Sequence, residues 1–185
     1  MLAAPHAPTH QAPEYPAGPF EAPAVGASCD MQLFARHVDI IAAQPTRLRY
    51  AVQGLGEQQL ATRYRNWTVR QIVHHLADST VNLYCRWKLA LTEVRPTVKP
   101  YDESDWAKLP DALLGEHTYS LAMFEGTIGR LTFLARTLSP ADCARMVWHP
   151  QYQKEMSVAY LAALYAWHGT HHISQIEWLR SHYRW

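Results

Sequence analysis

Apolar residues recur every three to four positions in four long segments of the chain, and this spacing predicts amphipathic α-helices. The expected helices cover residues 28 or 30 to about 52, 68 to about 93, about 119–138, and 157 onward. Thr68 with Gln71 three residues later is typical of a capping box and marks the start of the second helix. Pro45 removes a backbone hydrogen bond inside the first helix, so we expect a kink or an early end there.

The segments between these helices complete the predicted architecture. Only residues 146–150 suggest an extended piece, and residues 95–117 form a long, proline-containing connection of the kind that often covers a site. We therefore expect an all-α four-helix bundle with one long crossover connection. Residues 1–27 are rich in proline and alanine and form an N-terminal arm outside regular structure, which leaves residues 28–185 as the bundle domain.

Charge and composition exclude several classes of protein. The net charge of +1 and the pI of about 7.8 argue against binding to nucleic acid or to an anionic membrane. The charge-poor run 156–176 carries three histidines and other polar residues, so it suits a core helix better than a lipid-facing one. Three widely spaced cysteines and the absence of a basic N-terminus before Arg36 favour a cytoplasmic protein.

Two histidines lie on the apolar face of the last helix. That face comprises Leu161, Tyr165, His168, His172, Gln175 and Leu179. His168 and His172 stand one turn apart and can bind the same ion, whereas His171 is rotated by about 60° from His168 and is the weaker candidate. Each unpaired buried nitrogen costs about 1–3 kcal/mol, so these rings need either a divalent metal or hydrogen-bond partners.

The second helix supplies the candidate third ligand. Beside its apolar stripe runs a partly polar line of residues, comprising Ile72, His75, Ser79, Asn82, Arg86 and Leu89. His74 points about 100° away from His75, so the helical geometry favours His75 as the inward histidine. This polar line is either the wall of a cavity or a solvated flank.

Three imidazoles with open coordination positions suit zinc, nickel, iron or manganese, and three protein ligands plus water are typical of catalytic zinc. Gly169 follows His168, so the His-Glu-x-x-His motif with its general base is absent. Cys85 projects about 80° from His75, and the sequence places no cysteine on the ligand faces. The sequence alone identifies no catalytic residue beyond these ligands.

Several short motifs together resemble the YfiT branch of the DinB-like proteins. They are His-His-Leu-Ala-Asp-Ser at 74–79, Arg-Trp-Lys-Leu at 86–89, residues 95–103, His-Pro at 149–150, residues 167–173 and Tyr-Pro-Ala-Gly at 15–18. The chain departs from one such relative at residues 169–170 and 174–175, where that relative carries further histidines. The resemblance implies a four-helix bundle, a homodimer, and one divalent metal per chain bound by His75, His168 and His172.

The same resemblance implies either metal-dependent hydrolysis or transfer of a bacillithiol-like thiol. We expect the metal, zinc or nickel ahead of iron or manganese, to bind the sulfur of a small thiol and to lower its pKa from about 8.5. The thiolate would then attack an electrophilic small molecule. Six further residues are candidates for contacting the substrate or the ligands: Ser79, Asn82, Arg86, Tyr101, His149 and Tyr165. Hydrolysis by metal-activated water and a non-catalytic metal- or ligand-binding bundle are the alternatives.

Overall fold

The computed structural model describes residues 12–23 and 29–185 of the chain. Its helices are α1 (Met31–Val52), α2 (Glu57–Leu60), α3 (Val69–Thr92), α4 (Glu103–Trp106), α5 (Pro110–Leu114), α6 (His117–Ala135), α7 (Pro140–Cys143) and α8 (Val158–Tyr183). Its strands are β1 (Arg63–Tyr64), β2 (Trp67–Thr68), β3 (Met146–His149) and β4 (Lys154–Ser157).

The four long helices α1, α3, α6 and α8 pack into one bundle around a shared apolar core. α1 packs against α6 and α8, and α3 packs against the same two helices. The crossover between α3 and α6 contains the short helices α4 and α5, and α5 packs against α3. The predicted all-α bundle with a long crossover is therefore confirmed, and none of the described helices is long and apolar enough to cross a membrane.

Helix α1 continues through Pro45, so the early end that was one of the two alternatives expected there is wrong. The flanking residues Gln44 and Leu48 are buried, and Gln44 Nε2 donates to the carbonyl oxygens of Tyr165 and Ala166, each at 3.1 Å. Because Gln44 before the proline and Arg47 after it both form hydrogen bonds to α8, tertiary contacts offset the missing backbone hydrogen bond.

The structure contains two antiparallel hairpins, β1–β2 and β3–β4, and β3 confirms the extended piece predicted at residues 146–150, whereas β1, β2 and β4 were not predicted. Their strands are two to four residues long, which is too short for a clear alternation of apolar and polar residues. β2 leads directly into α3 and β4 directly into α8, where Thr68 and Ser157 cap the helices. The hairpins thus determine where the two histidine-bearing helices begin.

The described part of the N-terminal arm, residues 12–23, lies against the bundle. Tyr64 Oη donates to the carbonyl oxygen of Pro13 at 2.5 Å, and Trp167 Nε1 donates to that of Gly18 at 2.8 Å. Phe20 packs against the Trp167 ring at 5.6 Å between centroids. The predicted boundary between residues 27 and 28 lies outside the described residues.

Candidate metal centre

Three imidazoles meet in the bundle interior between α3 and α8. His75 Nε2 lies 3.0 Å from His168 Nε2, and one nitrogen of each of His75, His168 and His172 lies within 4.8 Å of the other two. The ring centroids of His75 and His172 are 4.7 Å apart. The structure therefore brings together the three side chains that helical geometry and the family resemblance selected.

This arrangement fits a metal ion held by nitrogen ligands. Two imidazole nitrogens bound to one tetrahedral zinc ion, each at 2.0–2.1 Å, lie roughly 3.3 Å apart, close to the separation of the His75 and His168 nitrogens. Without a metal, only one of these two nitrogens can donate to the other, and a hydrogen-bonded pair is the result. Metal binding by His75, His168 and His172 therefore stays a prediction that their geometry supports.

Gln175 links the cluster to the neighbouring histidine on α8. His172 Nδ1 lies 2.9 Å from Gln175 Oε1, and Gln175 Nε2 lies 2.9 Å from His171 Nε2. An amide oxygen can only accept, so His172 must carry its proton on Nδ1, which leaves Nε2 free to bind a metal. The amide nitrogen then donates to His171, whose own proton lies on a buried Nδ1 without a hydrogen-bond partner.

Burial holds the three imidazoles in the neutral form that metal binding requires. Desolvation is the main cause that lowers the pKa of His75 and His168 well below the ordinary value, and it lowers the pKa of His172 to about 4. Mutual repulsion between the rings adds to the effect on His75 and His168. Trp67 covers the cluster, with its ring centroid 4.6 Å from His75 and 5.9 Å from His172.

These shifts predict how the stability of the metal-free protein depends on pH. In the unfolded chain the histidine pKa is about 6.5, so below that pH the unfolded chain binds more protons than the folded chain. The stabilising contribution is complete above this value and is lost as the pH falls toward the folded-state pKa, about 4 for His172. We expect urea unfolding to show that His172→Gln removes about 1 kcal/mol of the stability difference between pH 7.5 and pH 5.5.

This expectation would be contradicted if the free energy of unfolding fell by the same amount between pH 7.5 and pH 5.5 in His172→Gln and in the wild-type protein. His149 also has a pKa lowered by burial and contributes to the same pH dependence. The free energies of unfolding of the two proteins are therefore compared at each pH, because the pH dependence of either protein alone includes the contribution of His149.

Arg86 and Tyr165 extend the site beyond the histidines. Arg86 Nη1 donates to Tyr165 Oη at 3.2 Å, and the Tyr165 ring lies 5.4 Å from the His168 ring. Tyr101 packs on the Trp106 ring at 4.4 Å, and His149 packs on the Tyr152 ring at 4.6 Å. Burial raises the pKa of Tyr101 and lowers the pKa of His149. The Arg86 charge lowers both pKa values by a smaller amount.

The remaining two candidates on α3 are bound to their own helix. Ser79 Oγ donates to the carbonyl oxygen of Leu76 at 3.2 Å, and Asn82 Nδ2 donates to that of Asp78 at 2.9 Å. Ser79 and Arg86 are buried, so the polar line on this helix is not a solvated flank. A role for Ser79 and Asn82 in contacting substrate stays a prediction, and these hydrogen bonds do not support it.

The three cysteines do not supply a nucleophile at this centre. Cys143 is buried, and burial raises its pKa to about 12. Burial also raises the pKa of Cys29, while Cys85 is exposed. At neutral pH the first two thiols stay protonated, so a reactive thiolate at the centre has to come from a ligand.

An open cleft of about 530 Å³ reaches His171 and His172 from the surface. Its walls come from the arm, from the β1–β2 turn, from the crossover and from α8. They include Tyr15, Trp67, Glu103, His172 and Gln175. The cleft is large enough for a small-molecule ligand to approach His172.

A family model described as the DinB superfamily matches residues 40–176, which is most of the chain. The chain belongs to the DinB superfamily. Its residues are 42% identical over 173 positions to a protein of Geobacillus kaustophilus named "Putative metal-dependent hydrolase", covering 92% of this chain and 96% of that one. The protein YfiT of Bacillus subtilis, which carries the same description, is 40% identical over 150 positions, covering 80% and 84% of the two chains.

The structure of YfiT from Bacillus subtilis superimposes on this DinB-superfamily chain with a TM-score of 0.86 and 37% identity. The match covers 92% of this chain and 97% of YfiT, whose fold is described as an unusual four-helix bundle topology. The resemblance to the YfiT branch is thereby confirmed, and with it the bundle topology around the three histidines.

Sequence reasoning missed some residues around the site. Gln175 was on the predicted core face of the last helix, three residues after His172, but was given no role. Asp78, whose pKa burial raises to about 6 with a further contribution from Asp111, gave no signal beyond its place in a shared motif. Tyr152 lies in the β3–β4 turn, which the residue pattern did not reveal.

Proposed function

We propose that this protein is a divalent-metal-dependent thiol S-transferase that joins a small, bacillithiol-like thiol to an electrophilic small molecule. The observation that carries the proposal is a cluster of three imidazoles, of which His75 is buried and His168 and His172 are half-buried, beside an open cleft that reaches His172. Burial raises the pKa of the Cys143 thiol, so this residue supplies no thiolate at neutral pH. A zinc or nickel ion bound there would coordinate the sulfur of the thiol and lower its pKa toward neutrality.

The ligand set supports this chemistry. His75, His168 and His172 are neutral ligands, so they do not offset the positive charge of a bound cation. That charge would then stabilise the thiolate form of a sulfur bound as the fourth ligand. Gln175 holds the His172 proton on Nδ1 and so keeps the ring in the tautomer that binds metal through Nε2. Trp67 covers two of the rings and limits the access of water.

Hydrolysis by metal-activated water is the second candidate, because the relatives are named as metal-dependent hydrolases. Asp78 lies one turn after His75 on α3, and its half-buried carboxyl group with a pKa raised to about 6 is the candidate general base for that reaction. A non-catalytic metal-binding bundle is the third possibility, in which chelation would unfold the protein.

The test is multiple-turnover mass spectrometry on the metal-loaded protein with 1-chloro-2,4-dinitrobenzene and a panel of thiols, namely bacillithiol, mycothiol, glutathione and cysteine. We expect a metal-dependent product that carries the mass of one thiol, formed faster than the uncatalysed reaction. A parallel assay offers an ester without any thiol. Turnover of the ester alone, with no thiol-bearing product from any of the four thiols, would reject transfer in favour of hydrolysis.

We also infer that the chain forms a homodimer, as its resemblance to the YfiT branch implies. Light scattering coupled to size-exclusion chromatography should give about twice the chain mass of 21.2 kDa.

A further inference from the structure

Arg86 is a buried cation without a counterion. Its side chain lies on α3 with 8% of its surface exposed, and Nε has no hydrogen-bond partner. Among the described residues, no carboxylate oxygen lies within 4.0 Å of its guanidinium nitrogens. Burial of an unpaired charge is strongly unfavourable, so such an arrangement is typical of a group that binds an anionic ligand.

The free edge of the guanidinium is complementary to a carboxylate. Nη1 is occupied, because it donates to Tyr165 Oη. Nε and Nη2 lie together on the other edge, and neither donates to a group in the described part of the chain. Two parallel N–H donors on one edge match the two oxygens of a carboxylate, which is the bidentate pairing that arginine forms best.

The position of Arg86 places this edge beside the metal centre. Tyr165, its hydrogen-bond partner, lies one turn before His168 on α8, and the two rings are 5.4 Å apart. Arg86 and His168 therefore flank the same Tyr165 side chain, which places the guanidinium beside the histidine cluster.

The groups around Arg86 are neutral hydrogen-bonding side chains. His149 is 1% exposed and its Nδ1 has no partner, and burial raises the pKa of Tyr101 and Tyr165, so their hydroxyls keep their protons. Glu103 acts on both tyrosines and Asp78 acts on Tyr101, but among the described residues neither carboxylate forms an ion pair with Arg86, and Glu103 is exposed to water. The surroundings thus offer donors to an anion and leave the arginine charge unneutralised.

We propose that Arg86, with Tyr165 and His149, forms a subsite for the carboxylate of a small ligand whose other end reaches the histidine cluster. The ligand class is a small carboxylic acid, and where the proposed function holds, it is a thiol that carries the carboxylate. This identification of the thiol rests on the proposed function, whereas the carboxylate subsite does not.

Isothermal titration calorimetry on the zinc-loaded protein at pH 7.5 tests the subsite with three probes. 3-Mercaptopropionate carries a thiol and a carboxylate, 3-mercaptopropionamide is its neutral counterpart, and propionate lacks the thiol. We expect the wild-type protein to bind 3-mercaptopropionate at least about tenfold more tightly than the amide, because a charge-assisted pair with arginine forms only with the acid.

In Arg86→Gln, the preference for the acid over the amide should fall to the value that arises from binding of the carboxylate to zinc alone. Arg86→Lys keeps the charge but loses the planar edge, so it should retain only part of the preference. Lys88→Gln is the matched control, because it removes one positive charge from an exposed position on the same helix and should leave the preference unchanged. Circular dichroism and thermal unfolding identify any variant that fails to fold, in which case the lysine variant carries the comparison.

An equal preference in the wild-type protein, Arg86→Gln and Lys88→Gln would overturn the subsite. Equal binding of the acid and the amide to the wild-type protein would also overturn it, while leaving thiol binding to the metal intact. Binding of propionate that depends on Arg86, without binding of the neutral thiol, would keep the subsite and reject the proposed transferase.

Discussion

Replacing His172 by alanine is expected to weaken the binding of a divalent metal by more than about 100-fold. Loss of an outer hydrogen-bond partner of a ligand typically costs about 10- to 100-fold in metal affinity, and loss of the ligand itself costs more. His172 Nε2 is the nitrogen that the hydrogen bond from Nδ1 to Gln175 leaves free to bind a metal, and the alanine variant removes it. Competition with a chromophoric chelator measures the affinity, and elemental analysis after dialysis measures the metal content.

His182→Ala is the matched control for this variant. His182 lies on the same helix, is exposed, and stacks on Trp178 at 4.5 Å, away from the histidine cluster. Its removal should leave the metal content at that of the wild-type protein. Equal metal content in His172→Ala and in the wild-type protein would show that the three rings are a hydrogen-bonded core cluster instead of a metal centre.

Gly169→Ala is expected to destabilise the protein by about 2–4 kcal/mol. A Cβ at this position would overlap the Gln44 carboxamide, which is buried and donates to the carbonyl oxygens of Tyr165 and Ala166. Overpacking costs about 1–3 kcal/mol and each lost hydrogen bond about 1 kcal/mol, while the better helix propensity of alanine returns about 1 kcal/mol. Urea unfolding measures the change.

Gly129→Ala on α6 is the control, because a Cβ there meets no atom within 4 Å. It should raise stability by up to about 1 kcal/mol through helix propensity alone. Combining Gly169→Ala with Gln44→Ala should recover part of the loss, since the double variant removes the overlap. If Gly169→Ala is no less stable than Gly129→Ala, the close contact between α1 and α8 does not exist as described.

The contact at Gly169 bears on the metal centre as well as on stability. Gln44 holds the carbonyl oxygens of the turn that immediately precedes His168. A side chain at residue 169 would occupy the space that the Gln44 carboxamide fills, which gives a physical reason for glycine at this position. Helix α1 therefore helps to position His168, although it supplies none of the candidate metal ligands.

Helical periodicity selected His75, His168 and His172 as inward-facing candidates among eleven histidines, and the family resemblance then implied that they bind one metal. A helix fixes the angle of each side chain about its axis, so residues separated by three or four positions can be assigned to one face without knowledge of their neighbours. The capping box at Thr68 is confirmed for the same reason, since it depends on residues within one turn. Pro45 shows the opposite case, because packing against α8 outweighed a sound local rule.

The sequence by itself determined the four long helices, their inward faces and, with the family resemblance, the three candidate ligands. Only the tertiary structure decided that Arg86 has no carboxylate partner among the described residues, that Gln175 joins His172 to His171, and that Gln44 fits over Gly169. The reason is that helical periodicity gives the direction of a side chain but not its height relative to a neighbouring helix. That height depends on loops, hairpins and the crossover, whose lengths and turns carry little periodic signal.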